Sequence, residues 1–173
     1  MKTIDSTLLQ SIKEAAYTEG DFTTRAGKRT TYYIDKYLFE CKPEILEPLT
    51  QALPALFPPA DTYDAIIAPA LGAIALGSHL SLLMNKPVYI YHVDDGKPCL
   101  TAGYQPHDRV VILEDVLTTG STVLDVCDYI QTIPLPVCKI ISVIDREEGA
   151  MATLQQRGFE AEALIKASDF LYI

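Results

Sequence analysis

The segment Arg109-Val-Val-Ile-Leu-Glu-Asp-Val-Leu-Thr-Thr-Gly-Ser-Thr122 constrains this chain more than any other stretch. Four apolar residues, Val110 to Leu113, read as a buried strand, because a run without polar alternation needs cover on both faces. Two adjacent carboxylates, Glu114 and Asp115, follow at its carboxyl end. Thr118, Thr119, Gly120, Ser121 and Thr122 then make a turn of small, mostly hydroxylated residues, and Val123, Leu124 and Val126 open a helix. Such an order makes a site for a phosphorylated sugar. The first N–H groups of a helix have no partner within it, and together with the hydroxyls they can cradle a phosphate. The carboxylates can accept hydrogen bonds from sugar hydroxyls or approach a divalent metal.

The flanking sequence repeats the strand–helix alternation. Strands are expected at Ala65–Ala68, Pro87–Tyr91, Val137–Ile144 and Ala161–Ile165, and helices at Leu71–Met84, Thr122–Ile130 and Met151–Arg157. Apolar strands alternating with helices predict an α/β fold with a parallel sheet covered on both faces. Ligands of such sheets bind beyond the carboxyl ends of the strands, where the acidic pair falls. Upstream, Thr7–Tyr17 reads as a helix capped by Ser6 or Thr7, Asp21–Phe39 as a hairpin or irregular strands, and Pro43–Leu53 as a second helix. The Pro-rich stretch from Leu56 to Asp61 and the stretch containing Asp94 to Lys97 read as loops.

The chain has 173 residues, 49% of them hydrophobic, which suits one globular domain. Its formal charge of −9 argues against nucleic acid as a partner, since phosphate backbones are held by basic patches. Binding of an anionic phosphate must then be local, through helix N-termini, a few cations and metal. Cys41, Cys99, Cys127 and Cys138 lack metal-site spacing, and Cys127 and Cys138 sit in apolar runs as small core residues. No signal-peptide core is present, and no apolar run approaches the roughly 18 residues of a membrane span. A soluble cytoplasmic protein with reduced thiols is expected.

The Arg109–Thr122 segment closely resembles the phosphoribosyl pyrophosphate (PRPP) signature of the type I phosphoribosyltransferases. Gly20-Asp-Phe-Thr-Thr-Arg-Ala-Gly-Lys-Arg-Thr-Thr-Tyr-Tyr-Ile-Asp-Lys36 looks like the opening segment of the orotate phosphoribosyltransferases, and Val143-Ile-Asp-Arg-Glu-Glu-Gly-Ala150 resembles their Asp-Arg-Gln/Glu-Glu segment. Three blocks in the family's order extend the resemblance over most of the chain. It implies a single phosphoribosyltransferase domain over 1–173, with a hood segment at 1–40 and a Rossmann-like α/β core at 60–173. It also implies Mg²⁺, PRPP and a planar base, orotate first, as ligands, and a homodimer. Under it, Glu114 and Asp115 hold the ribose, with Asp115 also catalytic and next to the metal. Thr118, Thr119, Gly120, Ser121 and Thr122 hold the 5′-phosphate. Gly72 serves the pyrophosphate loop, while Arg25, Tyr33 and Arg146 face the base. Arginine suits an anionic planar substrate because its guanidinium is a permanently charged planar fork.

The sequence departs from the family pattern at two places. A mobile basic loop is expected at His92-Val-Asp-Asp-Gly-Lys-Pro-Cys-Leu-Thr-Ala-Gly103, but the segment is short and carries Asp94 and Asp95, which leaves Lys97 as the candidate cation for a leaving pyrophosphate. In Ala68-Pro-Ala-Leu-Gly-Ala-Ile-Ala75, Gly72 keeps a glycine's freedom, whereas Ala73 replaces a second glycine and would resist positive φ. His79, in an apolar run, reads as a core or helix-surface residue. The expected reaction is transfer of phosphoribosyl from PRPP to orotate. Transfer to another base and a non-catalytic PRPP- or nucleotide-binding regulator remain as alternatives.

Overall fold

The computed structural model describes residues 4–23, 27, 29–101 and 103–172. Its centre is a six-stranded sheet made of β3 (Ala65–Pro69), β4 (Val88–Asp94), β5 (Lys97–Leu100), β6 (Val110–Leu117), β7 (Val137–Asp145) and β8 (Ala161–Lys166). The spatial order is β5-β4-β3-β6-β7-β8. All neighbours are parallel except β4 and β5. Alternate residues of the central strands feed two separate cores. Ile66, Val111, Leu113, Ile141 and Val143 pack with Ile12 of α1 (Ser6–Ala16), Leu49 of α3 (Pro43–Ala52), and Leu76 and Leu80 of α4 (Ala73–Met84). Ala65, Ile67, Val110, Ile112 and Ile140 pack with Val123, Val126 and Cys127 of α5 (Ser121–Ile130) and Leu154 of α6 (Ala150–Gln156). Burying both faces is what the continuous apolar runs required.

The N-terminal segment differs in detail from its sequence reading. Asp5, rather than Ser6 or Thr7, caps α1, its carboxylate accepting from the Thr7 N–H at 2.8 Å. A hairpin forms, but from β1 (Tyr17–Thr23) and β2 (Arg29–Ile34), so its first strand begins directly at the end of α1. After Ile34 the chain turns into a short helix, α2 (Lys36–Glu40), instead of continuing extended. Asp35 starts that turn, its side chain accepting from the Tyr37 N–H at 3.1 Å, and Phe39 anchors it in the core.

Two strands run further than expected. β6 continues through the acidic pair to Leu117 because β7 pairs with it all the way, Glu114 opposite Ser142 and Leu117 opposite Asp145. The carboxylates therefore lie inside the strand rather than after it. β4 continues to Asp94 and doubles back as β5, where a loop was expected. Asp95 and Gly96, with φ of 46° and 73°, close this hairpin between the paired Asp94 and Lys97. An Asp-Gly pair in left-handed conformation is the two-residue turn whose twist matches two antiparallel strands. No helix among the described residues is long and apolar enough to cross a membrane.

Candidate active site

Glu114 and Asp115 are 6% and 1% exposed, an unusual burial for adjacent carboxylates. A third acid, Glu40 at the end of α2, is 3% exposed and close enough to Asp115 to feel its charge. A cation meets this cluster. Lys36 Nζ stands 2.7 Å from Asp115 Oδ2, and the lysine side chain is 35% exposed. Lys36 and Glu40 are four residues apart and so share one face of the short helix.

Protons relieve the crowding of charge. Burial, and then the charge of Asp115, pushes the Glu40 carboxyl up to about 9. Burial first, then hydrogen bonding and repulsion from Asp115, also drives Glu114 well above the ordinary carboxylate range. Desolvation lowers the Lys36 ammonium, but its close attraction to Asp115 outweighs this, for a net rise. Both shifts favour the protonated acids at Glu40 and Glu114, around one Lys36–Asp115 ion pair. Less negative charge suits an anionic ligand better than three exposed carboxylates would.

On one side of the pair lies the start of α5. Gly120, with φ of 81°, precedes Ser121, and no side chain caps the helix, so its first N–H groups face outward. Glu114, Thr118, Gly120, Ser121 and Thr122 line a small cavity of about 20 Å³ here. On the other side lies the turn from β3 into α4. Gly72 is pressed so closely against Asp115 that a Cβ added to it would stand 1.4 Å from Oδ2 and 2.8 Å from Lys36 Nζ. Its φ of −59° is ordinary, so this position needs the missing side chain for space and makes no use of a glycine's conformational freedom. Ala73, wholly buried as the first residue of α4, is not among the positive-φ residues, so the feared conflict at that position does not arise.

Beyond β7, Arg146 is 9% exposed and its guanidinium lies 4.8 Å from the ring centre of Tyr32, in the β1–β2 hairpin. Its Nη2 stands 3.1 Å from Glu148 Oε1, but neither Nη2 nor Nε makes an aligned hydrogen bond. A buried guanidinium stacked on an aromatic ring with idle donors can receive a planar anion.

No family model matches the chain. It is 31% identical over 173 residues to an orotate phosphoribosyltransferase of Methanocella arvoryzae, spanning 97% of this chain and 98% of the other. Over 175 residues it is 31% identical to the Pyrococcus horikoshii protein of the same name, spanning 98% of this chain and 94% of that one. The chain belongs to the orotate phosphoribosyltransferase family. Among solved structures it is similar to orotate phosphoribosyltransferase from Aeropyrum pernix, with a TM-score of 0.86 at 22% identity over 95% of this chain and 96% of the other. It is also similar to UMP synthase of Leishmania donovani, with a TM-score of 0.83 at 25% identity over 95% of this chain, which spans 37% of that longer one.

In this orotate phosphoribosyltransferase relative the expected site residues fall into two groups. Glu114, Asp115, Gly72 and the Thr118–Thr122 turn come together at the carboxyl ends of β3 and β6, and Arg146 follows at the end of β7. Lys97 is exposed at the turn of the β4–β5 hairpin, on the sheet's far edge. Tyr33 is 47% exposed and packs on Phe22, while its neighbour Tyr32 is the aromatic that meets Arg146. Arg25 lies outside the described residues. His79 is exposed on α4. Sequence reasoning missed Lys36, Glu40 and Tyr32. The signal for the first two was an Asp cap followed by Lys and Glu four apart, which reads as one turn of helix with both side chains on one face.

Proposed function

We propose that the protein transfers the phosphoribosyl group of PRPP to orotate, giving orotidine 5′-phosphate and pyrophosphate in pyrimidine biosynthesis. The observation that carries this reading is the buried Glu114–Asp115 pair, set between the uncapped start of α5 and the Gly72 turn. In this assignment the Thr118–Thr122 turn and the first N–H groups of α5 hold the 5′-phosphate. Glu114 and Asp115 fix the ribose hydroxyls, which orients the anomeric carbon toward the base. Arg146 offers its planar fork to the orotate carboxylate, and the resemblance assigns Arg25 and Tyr33 to the same side. Bonding changes are confined to the substrates: the anomeric C–O bond breaks toward pyrophosphate while a base nitrogen forms the new C–N bond. The protein's part is positioning and charge stabilisation. Lys97 is the sequence's candidate for the leaving group.

Magnesium fits this site as an ion brought in by the substrate. Among the described residues no group of three His, Cys, Asp or Glu side chains is arranged to hold a metal by itself. Mg²⁺ commonly keeps waters and substrate phosphates and takes only one or two carboxylates. Asp115 is the residue that would join it, and when bound the ion neutralises charge on the diphosphate.

Orotate loss followed by absorbance, with PRPP and Mg²⁺, tests the reading. Asp115→Asn is expected to lower kcat/KM by about 100-fold or more, the usual scale for losing one oriented electrostatic contact. PRPP binding without turnover would move the protein to a binding role, which the tight, acidic Asp94–Lys97 hairpin favours. Turnover with a different base would keep the chemistry and change the substrate.

The resemblance further implies a cytoplasmic homodimer. Leu82 and Leu83 of α4 are 84% and 55% exposed and border a concavity of about 500 Å³ shared with Leu46 of α3. This is the apolar face that a second copy would cover. Sedimentation is expected to give a dimer at micromolar concentration, and Leu82→Glu with Leu83→Glu is expected to shift it to monomer. A monomeric wild type would reject the assignment.

A further inference from the structure

Lys36 is poorly explained as a structural residue. Its side chain is one-third exposed, and its contact with Asp115 Oδ2, though 2.7 Å long, is an ion pair without hydrogen-bond alignment. The same ammonium stands 2.8 Å from where a Gly72 side chain would begin, so it occupies the turn between β3 and α4. The Tyr37 ring lies 5.5 Å away and shields one side. Lys36 therefore bridges the β6 acid pair and the neighbouring turn, on a short helix fixed by Asp35 and Phe39.

The geometry of a phosphorylated ribose gives this position a meaning. Its 5′-phosphate and its anomeric substituent lie at opposite ends of the sugar. With the 5′-phosphate at the start of α5 and the hydroxyls at Glu114 and Asp115, the anomeric end points away from α5. It then passes Asp115 toward Gly72 and Lys36, because β3 lies beside β6 in the sheet. The hairpin where the resemblance places basic residues instead presents Asp94 and Asp95, with Lys97 exposed on the sheet's edge.

We propose that Lys36, rather than Lys97, is the cation that meets the diphosphate of the sugar substrate, exchanging Asp115 for a diphosphate oxygen as the ligand enters. This rests on the phosphoribosyl-transfer reading and adds a residue to it. The anomeric C–O bond breaks with its electron pair going to the diphosphate oxygen, and the base nitrogen supplies the pair for the new bond. Lys36 keeps its protons throughout and contributes only charge to the departing oxygen. The ion pair in the free site has two uses: it keeps Asp115 from standing uncompensated, and it stores the cation next to the place of need.

Calorimetry with two separate probes tests this: pyrophosphate with Mg²⁺, and ribose 5-phosphate. Lys36→Met is expected to weaken pyrophosphate binding by about 10- to 100-fold, the range for one charge-assisted contact. Ribose 5-phosphate affinity should stay within about threefold or improve, since Asp115 loses a competitor. Lys36→Arg keeps the charge and should recover most of the pyrophosphate affinity, which guards against a folding artefact. Three outcomes overturn the proposal alone: pyrophosphate affinity unchanged in Lys36→Met, equal loss of both ligands, or the loss appearing in Lys97→Met instead. A wild type that binds neither probe overturns the phosphoribosyl-transfer reading as well.

Discussion

Gly72→Ala is expected to lower kcat/KM by about 100-fold or more, equivalent to roughly 2.7 kcal/mol of transition-state stabilisation, while leaving the protein folded. The backbone gives no reason for such a loss. Gly72 has φ of −59° and ψ of −47°, values any residue adopts, and alanine is the better helix former at the head of α4. The obstacle is space. An alanine Cβ would stand 1.4 Å from Asp115 Oδ2 and 2.6 Å from its Cγ, so the carboxylate or the turn must move. Asp115 has little room, being 1% exposed, held to Lys36, and accepting from the Val116 N–H on its own strand. Overpacking a tight site commonly costs about 1–3 kcal/mol of stability, partly offset here by a less flexible unfolded chain. Activity should therefore fall much further than the melting temperature. Steady-state kinetics beside a thermal melt separates the two. A variant within threefold of wild-type activity would show that Asp115 is free to shift and that the close approach is incidental.

That contact was invisible in the sequence, where Gly72 read as a flexible glycine in the first turn of the Leu71–Met84 helix, given to the pyrophosphate loop by resemblance. Its real constraint comes from a strand 43 positions away, since β6 lies beside β3. The Thr118–Thr122 turn between strand and helix was legible because all its parts are local: the apolar run of β6, the hydroxylated residues and the first turn of α5 follow one another along the chain. The acidic pair was legible at the end of an apolar run but placed after the strand, whereas β7 continues the pairing past Leu113 and draws both carboxylates into it. The β4–β5 hairpin had a usable signal in Asp95-Gly96 between two short runs, but Pro98 spoke against a strand. Pro98 is tolerated because β5 is an edge strand. Tyr32 and Tyr33 look equivalent in sequence, and only the hairpin's register decides that Tyr32 turns to Arg146.

Glu40 gives the second large effect, on stability against pH. Burial foremost, then Asp115 and Asp35, lift its carboxyl to about 9 from an ordinary 4.5, against the opposing pull of the Lys36 ammonium. Between those values the folded chain holds a proton that the unfolded chain has released. Stability then falls as pH rises, by up to about 1.4 kcal/mol per pH unit from this group alone. The stabilising contribution is complete below the unfolded value and is lost progressively toward pH 9. Glu40→Gln replaces the protonated acid with a neutral side chain of the same shape, so it should remove this group's share of the slope and leave the decline due to Glu114, which is shifted in the same direction. Urea unfolding at pH 5.5 and pH 8 measures the difference. The variant should lose clearly less stability than wild type between the two, and parallel behaviour would mean that Glu40 is already ionised at pH 5.5. Asp115→Asn offers an internal check, because removing the Asp115 charge takes away one of the causes of the Glu40 shift. The two substitutions should therefore be strongly non-additive, the second flattening less once the first is in place. Additive slopes would uncouple the two carboxyls and leave burial alone to explain the proton on Glu40.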